Sequence, residues 1–202
     1  MNKLAIALMG CLLGSFPGLA GEDWRQLKFD SMHSGNVPGR SVEAPLGLVA
    51  AVPLTDAVFT APAIAGGRVF VLDGAGVLFC IDAASARVLW KFESPGGKGN
   101  CNNVSSPAIM WPYLHFGTTA GRYYVLDRET GKVIKELACG GPIFSAPVVA
   151  EDRAYFATLG ARVYAVQADG RVCWMWDFVR EVLGFEGDRW SGEAWRKHKE
   201  GR

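Results

Sequence analysis

The sequence has no excess of either charge. Its 21 Lys and Arg face 20 Asp and Glu, a net charge of +1, so bulk charge points neither to nucleic acid nor to an anionic membrane surface. Beyond residue 20 it has no long apolar run. Stretches such as Val69-Phe70-Val71-Leu72 are strand-sized and broken by Gly and Asp, whereas a membrane-spanning helix takes roughly 20 apolar residues. It has no Gly-rich phosphate loop, no Ser-His-Asp arrangement and no helical zinc motif. Histidine is scarce, and His33, His115 and His198 are too scattered to suggest a metal centre. Cysteine occurs five times but never as Cys-x-x-Cys or Cys-x-x-Cys-His, which removes the usual metal and haem-attachment spacings.

What is present is half hydrophobic, with 25 Gly, seven Trp and only 20% charged residues. That suits a β-rich fold with many tight turns and argues against disorder. Residues 1–20 read as an export signal: Lys3 gives a positive start, residues 4–13 a short apolar run, and Gly18-Leu19-Ala20 small residues before a cut ahead of Gly21. Lipoprotein anchoring at Cys11 is the alternative, since Leu8-Met9-Gly10-Cys11 resembles a lipobox. Both readings place the mature chain outside the cytoplasm, periplasmic or secreted. Of the other cysteines, Cys80 and Cys173 fall in strand-like segments and read as small core residues. Cys101 and Cys139 fall in connections and are the one pair to consider bridged.

Internal repetition decides the fold. Residues 62–82, 107–127 and 147–167 align without a gap over 21 positions, at offsets of 45 and 40 residues. Each unit continues through a turn (83–86, 128–131, 168–170) into one more short apolar segment: Arg87-Val88-Leu89-Trp90, Lys132-Val133-Ile134-Lys135 and Arg171-Val172-Cys173-Trp174. Glu129-Thr130-Gly131 and Ala168-Asp169-Gly170 are strong turn chemistry, because Gly tolerates positive φ and Asp or Thr bonds its own backbone. Each unit therefore reads as four short strands, in the first near residues 63–64, 68–72, 77–81 and 88–92. Four antiparallel strands repeating every 40–45 residues predict an all-β fold of β-propeller blades. About three blades are present, an incomplete propeller where four to eight blades are typical. The division follows as a signal (1–20), an N-terminal strand segment (21–45), three blades (46–178) and a tail or truncated inter-blade connection (179–202), where a short helix is possible.

At Val125-Leu126-Asp127-Arg128-Glu129-Thr130-Gly131-Lys132-Val133, and again at residues 80–90, the repeat resembles that of pyrroloquinoline-quinone (PQQ)-type β-propellers. The resemblance covers residues 23–178. It implies that Trp90 and Trp174, on outermost strands, dock against a neighbouring blade; Lys135 departs from that pattern and puts the second blade's docking in doubt. It also implies that the segment of Asp23, Trp24 and Gly35 is the start of such a protein, a strand that joins the last blade with Trp24 as anchor. Two explanations fit the blade count, a piece of a larger propeller or a ring completed by other copies, and the first is preferred because repeat arrays need capped ends.

The resemblance admits two functions. One is a non-catalytic, extracytoplasmic binding or scaffolding module whose partner is a protein or the remaining blades, with no nucleic acid and no transmembrane span. The other is part of a PQQ- and calcium-dependent quinoprotein alcohol or sugar dehydrogenase. The relatives that do this chemistry show adjacent cysteines beside the cofactor, and no Cys-Cys pair occurs here. No compact set of Asp, Glu and Asn offers a calcium cage either. No catalytic or metal residue is assigned, and cofactor-binding residues are unknown. Asn100, Asn102 and Asn103 read as a loop that bonds its own backbone. His115 aligns with Phe70 and Tyr155 and reads as packing. Trp111, Tyr113, Tyr123, Tyr124 and Tyr164 read as core or inter-blade aromatics, and Arg196-Lys197-His198-Lys199 as a solvated end.

Overall fold

The computed structural model describes residues 23–39, 41, 43–96 and 100–201. The export signal and Cys11 lie outside the described residues. Three sheets follow one another along the chain. The first contains β1 (Ala63–Ala65), β2 (Arg68–Leu72), β3 (Val77–Asp82) and β4 (Val88–Glu93). The second contains β5 (Ala108–Met110), β6 (Tyr113–Gly117), β7 (Arg122–Asp127) and β8 (Val133–Ala138). The third contains β9 (Val148–Ala150), β10 (Arg153–Ala157), β11 (Arg162–Val166) and β12 (Val172–Asp177). Each is a four-stranded antiparallel meander in sequence order, so the three predicted blades are present.

The turns follow from local chemistry. Between β3 and β4 the Asp82 carboxylate accepts from the Ser85 backbone and hydroxyl; between β7 and β8 Asp127 accepts from Glu129 and from both Thr130 groups. These bonds hold both carboxyls below the usual carboxylate range. Where β2 turns into β3 and its equivalents, Asp73, Thr118 and Thr158 accept from the backbone of Val77, Arg122 and Arg162.

The core lies between the blades. Ala63, Phe70, Leu72, Leu78 and Cys80 of the first face Ile109, Leu114, Phe116, Tyr124 and Leu126 of the second, with Trp90 and Phe92 packed at the edge. The second junction is more aromatic: Tyr123 stacks on Phe156 at 3.8 Å between centroids, and Phe156 on Tyr164 at 5.0 Å. The other face of the first blade, with Val69, Val77, Phe79 and Ile81, is covered by Val52 and Leu54 from the extended segment that precedes β1.

The N-terminal segment crosses the innermost strands of all three blades. Trp24 exchanges two backbone bonds of 2.7 Å with Ile64, Arg25 accepts from the Ile109 backbone, and the Gln26 side-chain amide bonds both the N–H and the C=O of Val149. Ile64, Ile109 and Val149 are repeat-equivalent positions. Three consecutive residues thus satisfy the free inner edge of three consecutive blades, which would otherwise carry unpaired backbone groups.

The tail is folded and holds two helices, α1 (Phe178–Glu181) and α2 (Gly192–Glu200). The buried Asp177 caps α1 and accepts from Arg162 at 3.0 Å and Arg189 at 2.7 Å. These partners hold its carboxyl, against the opposing effect of burial, far below the usual range. Trp195 stacks on Phe185 at 3.9 Å, and His198 Nε2 lies 3.0 Å from the Leu183 carbonyl. The run 196–199 is therefore the last turn of a packed helix, with His198 turned inward, and not a wholly solvated end. None of the helices among the described residues is long and apolar enough to cross a membrane.

Candidate functional site: the blade-docking face

Each blade offers its neighbour a face built at corresponding positions on its last three strands. In the first blade Phe70, Cys80 and Trp90 stand side by side across the sheet; in the second His115, Val125 and Lys135; in the third Tyr155, Ala165 and Trp174. One register position along, Phe92, Leu137 and Trp176 are equivalent. At the first junction the Trp90 ring lies on Gly131 so closely that a Cβ there would come within 2.6 Å of it. At the second, the Lys135 stem occupies the same place over Gly170, with a would-be Cβ 2.7 Å from its own. The doubt over Lys135 is thereby resolved: its methylenes do the packing while the ammonium reaches solvent.

The third blade has the same equipment and no neighbour among the described residues. Trp174 and Trp176 are each 43% exposed, and Met175 39%. Tyr155 lies 6.1 Å from Trp174, and Phe178 meets Trp176 edge-on at 5.8 Å. Residues that are packed at the first two junctions here form an aromatic surface, and contiguous apolar surface of this kind marks an interaction site. Arg153, Tyr155 and Cys173 interact beside it. Cys173 is exposed, contrary to its reading as a core residue, because it falls at the register irregularity of β12, where the equivalent Leu89 and Ile134 of the other two blades are exposed as well.

The other residues singled out from the sequence are placed as follows. Asn100 donates to the Ser94 carbonyl and hydroxyl, and Asn103 donates to Gly74 and accepts from Thr119, so the loop spends its amides on its own framework. Cys101 and Cys139 are not bridged; all four described cysteines are free. Cys139 is buried at the second junction, whereas Cys101 is exposed in the loop. Burial pushes the Cys80 and Cys139 thiols up to about 11, which keeps them protonated. His115 is fully buried, with Nδ1 3.1 Å from the Tyr123 hydroxyl, and desolvation pushes its imidazole down to about 4. Tyr123, Tyr124 and Tyr164 are inter-blade residues, and Tyr113 is half-buried at the second junction. Trp111 is not core: it is 65% exposed in the turn after β5, with the Arg128 guanidinium 3.7 Å from its ring centroid. Gln26, Asp73 and Asp177 were not singled out, since their roles depend on partners 18 to 123 residues away or on the tail's fold.

A calcium-held quinone would need several hard oxygen donors converging on one point. Among the described residues no group of three or more His, Cys, Asp or Glu is so placed.

By its fold this chain is a run of β-propeller blades. A family model described as outer membrane protein assembly factor BamB matches residues 48–138 and 111–185, and the chain belongs to that PQQ-like repeat family. Over 79 residues, 36% of the chain, it is 32% identical to the dehydrogenase subunit of the quinone alcohol dehydrogenase of Gluconacetobacter polyoxogenes, and 33% to that of Gluconobacter oxydans. The matched part spans only about a tenth of those relatives, 11% and 10% of their lengths. In fold it is similar to quinohemoprotein alcohol dehydrogenase ADHIIG from Pseudomonas putida HK5 (TM-score 0.61, 16% identity, 76% of this chain and 26% of that one). It is likewise similar to BamB from Moraxella catarrhalis (TM-score 0.53, 22% identity, 61% and 41%).

Proposed function

We propose that this chain is a non-catalytic, extracytoplasmic docking module that binds a protein partner or further propeller blades through the open face of its third blade. The observation that carries this reading is the surface of exposed Trp174 and Trp176 beside the half-buried Tyr155, built at positions that are inter-blade packing wherever a neighbour is present. The charged start, apolar run and small residues of the first 20 positions support export, with lipid anchoring at Cys11 as the variant of it. The second reading is part of a PQQ- and calcium-dependent alcohol dehydrogenase, favoured by the curated relatives.

Thermal unfolding of the chain with and without PQQ plus Ca²⁺ separates the two. A midpoint unmoved by cofactor supports the module; a clear rise transfers the chain to the quinoprotein class, because a ligand of the native state must stabilise it. In the same experiment Trp174→Lys leaves the midpoint nearly unchanged while Trp90→Lys lowers it. Equal losses for the two would show that the third face is closed by this chain itself and would sink the docking reading.

A further inference from the structure

Beside the contact of Trp90 on Gly131, the first junction holds a polar one. Arg68, at the start of β2, reaches the turn between β7 and β8 of the next blade. Its Nη1 donates to the Arg128 carbonyl at 3.4 Å and the Glu129 carbonyl at 3.3 Å, and its Nη2 meets the Glu129 carboxylate at 2.6 Å. Arg128 holds the other carboxylate oxygen at 3.0 Å from within the turn. A guanidinium suits this task, because it offers several donors in fixed directions to two carbonyls and a carboxylate at once.

The blades vary this residue and the turn it faces together. Arg68, Tyr113 and Arg153 are repeat-equivalent, each the sixth residue after the proline that opens its unit. Arg68 faces a turn with three residues between Asp127 and Gly131, the middle one Glu129. Tyr113 is half-buried at the second junction, where the turn has only two residues between Gln167 and Gly170. The acid of that short turn, Asp169, is spent on Arg171 of its own blade at 2.8 Å. Arginine thus goes with a long turn whose carboxylate faces it, and tyrosine with a short turn whose carboxylate does not. The third blade has arginine again. Arg153 is exposed, and its side chain interacts with Tyr155 and Cys173 of its own blade. Among the described residues it has no ion pair, even with Glu151 and Asp152 of the same turn.

We propose that Arg153 selects the partner of the open face by taking the carboxylate and the two carbonyls of a long turn, one with an acidic residue two positions before the turn glycine. The proposal rests on the docking reading above and gives its partner a chemistry: a blade-type hairpin with an acid at the place of Glu129. A second copy of this chain does not supply that turn. Ala84 stands at the place of Glu129 in its first turn, its third turn is the short form, and Glu129 itself is already paired with Arg68.

The premise is tested at the first junction of the full chain by a double-mutant cycle on thermal unfolding. Arg68→Met and Glu129→Gln each lower the midpoint, and the double variant loses less than their sum. Additive losses would mean that arginine at this position does not read the turn carboxylate, and would overturn the role of Arg153 whatever becomes of the docking reading. The open face is tested through Cys173, the exposed thiol beside Arg153, in the full chain carrying Cys101→Ser to remove the other exposed thiol of the described residues. Two peptides of residues 126–132, each led by Cys-Gly-Gly, exchange with Cys173 in excess 2-mercaptoethanol, since tethering makes a weak contact measurable. One has the native turn, which Asp127 closes by its own bonds to residues 129 and 130. The other carries Glu129→Gln with Leu126→Glu, which keeps the net charge and the turn but moves the carboxylate. The expected result is about threefold more tethering of the native turn, with no preference once Arg153→Met is introduced. Equal tethering in the parent, or the same preference in Arg153→Met, overturns the proposal and leaves the docking reading standing. Tethering of neither peptide would show the face closed, and would overturn both.

Discussion

A single buried imidazole shows how the repeat sets the chemistry of a residue. His115 occupies the position of Phe70 and Tyr155, in the face that packs on the next blade, and there it is fully buried beside Tyr123. Desolvation favours its neutral form, so the folded chain binds its proton only near pH 4, against an ordinary value of about 6.5. Between those values the unfolded chain is protonated and the folded chain is not. Stability is therefore complete above about pH 6.5, falls as the pH drops towards about 4, and levels off below, a loss of at most about 3 kcal/mol. His115→Phe should flatten that window in denaturant melts at pH 7 and 4.5, at a cost of about 1 kcal/mol for the lost bond to Tyr123. An unchanged slope would assign the pH dependence to another group. The packing role of His115 was legible in the alignment of the repeats; its partner was not, because Tyr123 lies on the adjacent strand in a register that only the sheet fixes.

At the scale of the element, the blade is a fixed cassette with a variable docking pair. The twelve strands fall where alternation and turn chemistry place them, because every strand is short and bounded by Gly, Asp or Thr turns. Trp90 on Gly131 is the pair most exposed to test. Gly131→Ala adds a Cβ within 2.6 Å of the indole at a φ of +71°, and should cost about 2–4 kcal/mol in urea unfolding, from steric conflict and left-handed strain together. Trp90→Ala in that background should remove the steric part, so the two losses add to less than their sum. Full additivity would mean that the indole does not lie over the turn. The Lys135 departure shows the limit of motif reading at this scale: the motif names a tryptophan, but the groove asks only for a long apolar stem. α2 was not foreseen beyond a short helix, since its packing face is recruited by Phe185 and by the Asp177–Arg189 pair.

Over the whole molecule, the three blades are tied at their inner edge by Trp24, Arg25 and Gln26 and at the outer rim by the docking pairs. Gln26 is the simplest point to cut, because its side chain alone serves the third blade. Gln26→Leu keeps the bulk and removes both bonds; the Val149 amide should then exchange roughly tenfold faster while the Ile64 amide, held by the Trp24 backbone, is unaffected. Equal acceleration at both would mean that the segment opens as one piece and that Gln26 has no separate role. The sequence by itself determined the blade class, the number of blades present and the position of each strand, because a repeat whose register is fixed by turn residues needs no long-range information to be read. Only the tertiary structure decided where the two segments before β1 lie, which cysteines are buried, and which docking face is left open. Those outcomes depend on which backbone edges and apolar faces remain unsatisfied once the blades have packed, and no local pattern in the chain encodes that remainder.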